Sequence, residues 1–214
     1  MTASLLDAVR LEAPTARVLV ASSGEVYGAP SNPPVTEDAP LRPQNPYAVS
    51  KAAADLLAGF FADAHGLAVV RARAFNHAGP GQADVYALSS FARQAAAGAE
   101  VIRTGRMDTR RDFTDVRDVV RAYRLLAARG EPGEIYNVCS GRSTSTADLV
   151  DLVRRAAGRP IRHEVDPARV RAHEVLDLYG SPGRLRAATG WEPEIPLERT
   201  AADALAWWRE RDAG

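Results

Sequence analysis

Tyr47 and Lys51 stand four residues apart, and that spacing can do proton chemistry. In a helix, positions i and i+4 share one face and lie within reach of each other. An ammonium beside a phenol favours the phenolate through proximity of charge. A phenol ordinarily titrates near pH ~10. With that help it can give or take a proton near neutrality, as a general acid or base. Taken alone, the spacing fits many solvated surface pairs. Upstream, Ser23 and Glu25 add a hydroxyl and a carboxylate. Four such groups gathered in one cleft would form a site for moving a proton to or from a bound oxygen.

The elements that must position them can be read from local signals. Asn45 is a good helix N-cap and Pro46 suits the first helical position. Ala52 to Phe61 are helix formers with apolar residues at helical spacing. The pattern predicts a helix from Pro46 to about His65, stopped by Gly66. Arg17 to Ala21 reads as a short buried strand ending in Ser22-Ser23-Gly24, and Leu67 to Ala74 as a second. In open α/β sheets, ligands bind beyond the carboxyl ends of the strands. Ser23, Glu25 and Tyr47 would meet there, and Asn76, just past the second strand, would enter the same cleft. Its plainer alternative is an asparagine capping a turn. His77 has no partner at metal-ligand spacing, so no metal is expected.

The rest of the chain keeps the same rhythm. Leu5 to Arg10, Val85 to Ala97, Val116 to Ala128 after an Asp115 cap, Ser181 to Gly190 and Leu197 to Arg209 read as helices. Ser145 and Asp148 resemble a capping box opening another helix, to Ala157. Val101-Ile102, Ile135 to Val138 and Ile161 to Val165 read as short strands. Strands alternating with helices argue for a parallel sheet. Gly28 to Arg42 and the arginine run Arg103 to Asp112 read as loops. Phe113, Trp191, Trp207 and Trp208 read as packing residues.

The chain has 214 residues, with 27 basic and 27 acidic side chains. That balance gives no general reason to expect nucleic acid or a membrane surface as partner. Cys139 is the sole cysteine, which excludes an intrachain disulfide. No apolar run is long enough to span a bilayer, and Met1-Thr2-Ala3-Ser4 lacks the regions of a signal peptide. A cytoplasmic protein is the expectation.

Five segments together carry a resemblance. They are Ser-Ser-Gly-Glu-Val-Tyr-Gly (22–28), Pro-Tyr-Ala-Val-Ser-Lys (46–51), Phe-Asn-His-Ala-Gly-Pro-Gly-Gln (75–82), Arg-Asp-Phe-Thr-Asp-Val-Arg-Asp (111–118) and Tyr-Asn-Val-Cys-Ser-Gly (136–141). In this order they resemble the extended short-chain dehydrogenase/reductase family, the NAD-dependent epimerases, dehydratases and reductases of nucleotide sugars. The resemblance runs nearly end to end. It implies an α/β fold: a partial Rossmann-type parallel sheet flanked by helices, with a small C-terminal α/β substrate-binding subdomain. Residues 1–158 would form the second half of a Rossmann-type domain, with 78–112 contributing to the substrate side. Residues 159–214 would form the subdomain.

The resemblance also implies roles. Tyr47 would protonate the developing alkoxide, and Lys51 would lower the phenol's pKa and hold the nicotinamide ribose. Ser23 would hydrogen-bond the same oxygen. Ser22, Tyr47 and Lys51 would face an NAD(P)H cofactor. Glu25 is the base in family dehydratases, yet some reductases carry it too. Asn76 would contact the phosphate or sugar of a GDP-sugar substrate, and Arg111 its diphosphate through a bidentate guanidinium. Arg106 has no assigned role. Arg171 and Glu174 match a nucleotide-binding Arg-Pro-x-Glu-Val segment, with Ala172 in place of the proline. Many relatives are homodimers joined by a four-helix bundle, to which the Tyr47 helix would contribute.

Within the family, Ala78-Gly79-Pro80-Gly81-Gln82 is similar to the reductases of GDP-4-keto-6-deoxy-D-mannose, which yield GDP-D-rhamnose. GDP-mannose 4,6-dehydratase and UDP-sugar 4-epimerase are the alternatives. The family's glycine-rich pyrophosphate turn does not occur before Arg17. Its absence opens a reading of another class: a truncated, inactive nucleotide-sugar-binding fragment, or a subunit needing a partner polypeptide.

Overall fold

The chain alternates helix and strand in a computed structural model that describes residues 1–170 and 175–212. The first half runs α1 (Thr2–Glu12), β1 (Val18–Ser23), α2 (Pro46–His65), β2 (Val69–Ala74), β3 (Asn76–Ala78), α3 (Ala87–Ala96), β4 (Val101–Thr104), β5 (Arg110–Arg111), β6 (Phe113–Asp115) and α4 (Val116–Arg129). The second runs β7 (Ile135–Val138), β8 (Thr144–Ser145), α5 (Thr146–Ala157), β9 (Arg162–Val165), β10 (Asp177–Leu178), α6 (Gly183–Thr189) and α7 (Leu197–Asp212).

Strands β1, β2 and β7 form a parallel sheet in that order, with Val18 opposite Val69 and Ser23 opposite Ala74. Helices cover both faces, as a parallel sheet requires. Val70 and Ala72 turn towards α4, where Val119, Ala122 and Leu126 are buried with Trp191. Val69 turns the other way, onto Leu6 of α1 and Ala58 and Phe61 of α2. This is the α/β class expected from the alternation. A second core joins α3, α5 and α7 through Leu88, Phe91, Leu149, Val153, Leu205 and Trp208. It continues across Gly158, the residue that caps α5.

The helix carrying Tyr47 starts and stops for the reasons its sequence gives. Asn45 Oδ1 accepts from the Ala48 N–H at 2.8 Å, and Pro46 opens the first turn. Gly66 closes the helix in the left-handed conformation, φ 64°. The capping box of Ser145 and Asp148 is also formed. Gly28 must be glycine: its φ is 67°, and a Cβ there would sit 2.0 Å from the Arg42 carbonyl.

Several sequence-based boundaries need correction. β1 runs on through Ser22 and Ser23, because both pair with β2. The arginine run is not all loop: Arg103 and Thr104 end β4. Arg110 and Arg111 form β5, which pairs parallel with β10 and antiparallel with β8. Strands of two residues leave no periodicity to read.

Beneath α2 lies a buried ion pair. Asp55, with no exposed surface, accepts from Arg73 Nε and Nη2, both at 2.9 Å. Burial pushes the Asp55 carboxyl up, but the Arg73 guanidinium more than offsets this and holds it below the usual carboxylate value. Removing one partner of such a pair costs about 3–5 kcal/mol, because the other charge is left buried and alone.

Candidate active site

The carboxyl ends of β1 and β2 open onto a cleft of about 960 Å³. Ser22 and Ser23 reach it from the end of β1, Glu25 from the 3₁₀ turn that follows, and Tyr47 and Lys51 from the first turns of α2. Asn76, the first residue of β3, lines it as well.

Lys51 Nζ donates to the Ala21 carbonyl at 3.0 Å and lies 5.9 Å from the centre of the Tyr47 ring. Of the 27 lysine and arginine side chains, Lys51 is the sole lysine. A compact ammonium and a planar guanidinium are not interchangeable. In this arginine-rich chain the one lysine stands beside the cleft's phenol. Tyr47 is 52% exposed and lines the cleft.

Ser23 is buried, and its Oγ accepts from the Glu25 N–H at 3.2 Å. That contact uses a lone pair and leaves the O–H able to donate. Glu25 is exposed, and its Oε2 accepts from Asn45 Nδ2 at 2.9 Å. One asparagine thus caps α2 and orients the carboxylate. A phenol, a hydroxyl, an ammonium and a carboxylate in one cleft can move a proton to or from an oxygen bound among them and stabilise charge that develops there.

Some expected site residues are not in this group. Arg111 is not among the residues lining the cleft; its Nη1 donates to the Arg110 carbonyl at 2.7 Å. Arg110 is bound at Nε and Nη2 by Ser143, at 2.8 and 2.7 Å, which ties β5 to the turn before β8. Arg106 pairs with Asp108. Arg171 and Glu174 lie outside the described residues.

Other lining residues carried no role in the sequence reading. Tyr86 is the N-cap of α3, where the apolar periodicity had suggested an earlier start. Tyr123 lines the cleft from α4; burial, and then the neighbouring Tyr47, push its hydroxyl up to about 12. Its place on the apolar stripe of α4 marks it only as packing.

A parallel sheet with serine, tyrosine and lysine gathered beyond its carboxyl edge defines a Rossmann-type α/β protein. The family described as GDP-mannose 4,6 dehydratase matches residues 1–204. The chain belongs to that family. GDP-6-deoxy-D-mannose reductase of Pseudomonas aeruginosa is 40% identical over 217 residues, covering 98% of this chain and 71% of that protein. UDP-glucose 4-epimerase of Streptomyces lividans is 32% identical, covering 100% of this chain and 68% of that one. The solved structure of RMD from Pseudomonas aeruginosa complexed with NADPH superposes with a TM-score of 0.92 at 38% identity. It covers 98% of this chain and 72% of that one.

Proposed function

We propose that the chain acts as an NAD(P)H-dependent nucleotide-sugar oxidoreductase, reducing the 4-keto group of GDP-4-keto-6-deoxy-D-mannose to give GDP-D-rhamnose. The observation that carries this reading is the placement of Lys51. The sole lysine is anchored on the end of β1, beside Tyr47, in the cleft that Ser23 lines. The 40% identity to a GDP-6-deoxy-D-mannose reductase supports the choice of sugar.

In this mechanism the substrate's carbonyl oxygen is bound between Tyr47 and Ser23. Ser23 donates a hydrogen bond to it. Tyr47 gives its proton to that oxygen as negative charge develops. Lys51, held by the Ala21 carbonyl, stabilises the charge left on the phenol oxygen. Fixed donors aimed at a developing charge are a large catalytic term. A bound NAD(P)H supplies the hydride. Ser22, Tyr47 and Lys51, which line the cleft at the end of β1 and the start of α2, are assigned to its nicotinamide end. The relative's complex with NADPH favours the phosphorylated cofactor. Asn76, Arg111, Arg171 and Glu174 are assigned to the GDP-sugar, with residues 78–112 and 159–214 forming the substrate side.

Glu25 favours a second reading. Its exposed carboxylate at the cleft could remove a proton beside a ketone, as a 4,6-dehydratase needs. The epimerase relative keeps a UDP-sugar 4-epimerase as a third. Three incubations separate them: NADPH with the 4-keto GDP-sugar, NADP⁺ with GDP-mannose, and NAD⁺ with UDP-glucose, each followed by NMR of the product. Reduction in the first supports the reductase. Turnover in only one of the others replaces it, and turnover in none rejects all three.

A homodimer is part of the same proposal. Val49, Leu56 and Phe60 on α2 are 53%, 62% and 55% exposed, and Leu5 and Leu11 on α1, which packs on α2, are 58% and 60% exposed. Single exposed apolar residues are ordinary, whereas several on adjoining helices mark a contact surface.

A further inference from the structure

Asp55 stands four residues beyond Lys51 and eight beyond Tyr47, on the same stripe of α2. Its carboxylate is paired with β2. Arg73 grips it with Nε and Nη2, both at 2.9 Å, and Arg71 Nη1 lies 3.6 Å away. A bidentate guanidinium–carboxylate pair fixes direction as well as distance. The Arg73 end is itself pinned: Nη1 donates to Tyr27 Oη at 3.0 Å and to the Glu37 carbonyl at 3.3 Å. Tyr27 in turn donates to Asn137 Oδ1 at 2.7 Å, and the Asn137 N–H donates to Glu37 Oε1 at 2.8 Å. Asp55, Arg73, Tyr27, Glu37 and Asn137 are all buried. The network therefore ties β2, β7 and the loop after the Ser23 turn to one point on α2.

That point is one helical turn from the ammonium that must stand over the end of β1. Side-chain tips lie about 5–6 Å from a helix axis. A tenth of a turn would carry Lys51 roughly 3 Å, enough to break its 3.0 Å bond to the Ala21 carbonyl. We propose that Asp55 is a positioning residue for Lys51 and Tyr47: its buried pair with Arg73 sets the rotation and depth of α2, and so where ammonium and phenol stand at the cleft. This rests on the reading of Tyr47 and Lys51 as the proton-transfer pair, but its test does not depend on turnover.

With a single lysine, reductive ¹³C-methylation of the full chain labels Lys51 and the Met1 amine, and nothing else at lysine. Met1 is fully exposed and serves as the internal reference. Asp55→Asn and Arg73→Lys are compared with the parent chain, folding being checked by near-ultraviolet circular dichroism. In a folded variant the Lys51 resonance moves towards the position of a free side chain, and Lys51 is methylated several-fold faster while Met1 is unchanged. Where turnover is measurable, kcat falls by about 10²-fold, the cost typical of a misplacement near 1 Å, while GDP binding is kept. Arg73→Lys keeps the charge and loses the fork, so it gives a smaller change in the same direction. It decides the matter if Asp55→Asn does not fold. A folded variant with an unshifted Lys51 resonance and unchanged methylation rate overturns the proposal. A shifted resonance in a chain without turnover leaves it standing and counts against the reductase alone.

Discussion

Lys51 Nζ sits 3.0 Å from the Ala21 carbonyl oxygen, so the chain's one lysine is tied to the strand that delivers Ser23. The contact spends one of three ammonium protons on holding place and leaves two for a ligand. Arginine could keep the charge at this position but not the compact point donor. Lys51→Arg should therefore fold normally and lose at least about 100-fold in kcat, as a misplaced catalytic group does. Steady-state kinetics beside a thermal melt check this. Near-normal turnover would show that only the charge matters.

Asn45 joins the start of α2 to Glu25 through one amide. Asn45→Ala removes the helix cap and should cost about 1 kcal/mol, or roughly 2–4 °C in melting temperature for a chain of this size. Asn45→Asp can still cap the helix, but sets a carboxylate against Glu25. It should recover most of the melting temperature without restoring the hold on Glu25. Calorimetry of the two variants separates the contributions.

Tyr27, which is buried, and Tyr123, which is partly buried, set the alkaline limit. Burial raises Tyr27 to about 12 against the pull of Arg73, and Tyr123 also stands at about 12. Both folded values lie above the ordinary 10.0. Stability tied to these phenols is therefore whole below the ordinary value and is lost as pH rises through about 12. Asp55 works at the other end. Its lowered value gives stability present above the ordinary carboxylate range and lost as pH falls through the folded value. Phenolate absorbance should show a late step that Tyr27→Phe and Tyr123→Phe each reduce. A titration complete by pH ~11 would contradict the raised values of both phenols.

Much of this architecture was legible locally. Asn45, Pro46 and Gly66 mark both ends of α2, and Ser145 with Asp148 marks the start of α5, because caps act over a few residues. The cleft residues at the ends of β1 and α2 followed from strand order and helix phase. What stayed hidden is long-range. Asp55 and Arg73 meet across 18 residues, and nothing local distinguishes Arg73 from the arginines at the surface. The pairing of β5 with β8 and β10 has no sequence period, so Arg110 and Arg111 read as loop. Tyr86 and Tyr123 reach the cleft from helices whose apolar spacing speaks only of packing.

The most direct test of the proposed chemistry follows the hydride and the proton together. The chain and its Tyr47→Phe variant are incubated with NADPH deuterated at nicotinamide C4 and with GDP-4-keto-6-deoxy-D-mannose, and the product is read by NMR. Deuterium at C4 of the sugar with the parent chain, and loss of product with Tyr47→Phe while GDP still binds, is the predicted result. A reduced sugar lacking deuterium at C4, or a variant that turns over at the parental rate, would contradict it.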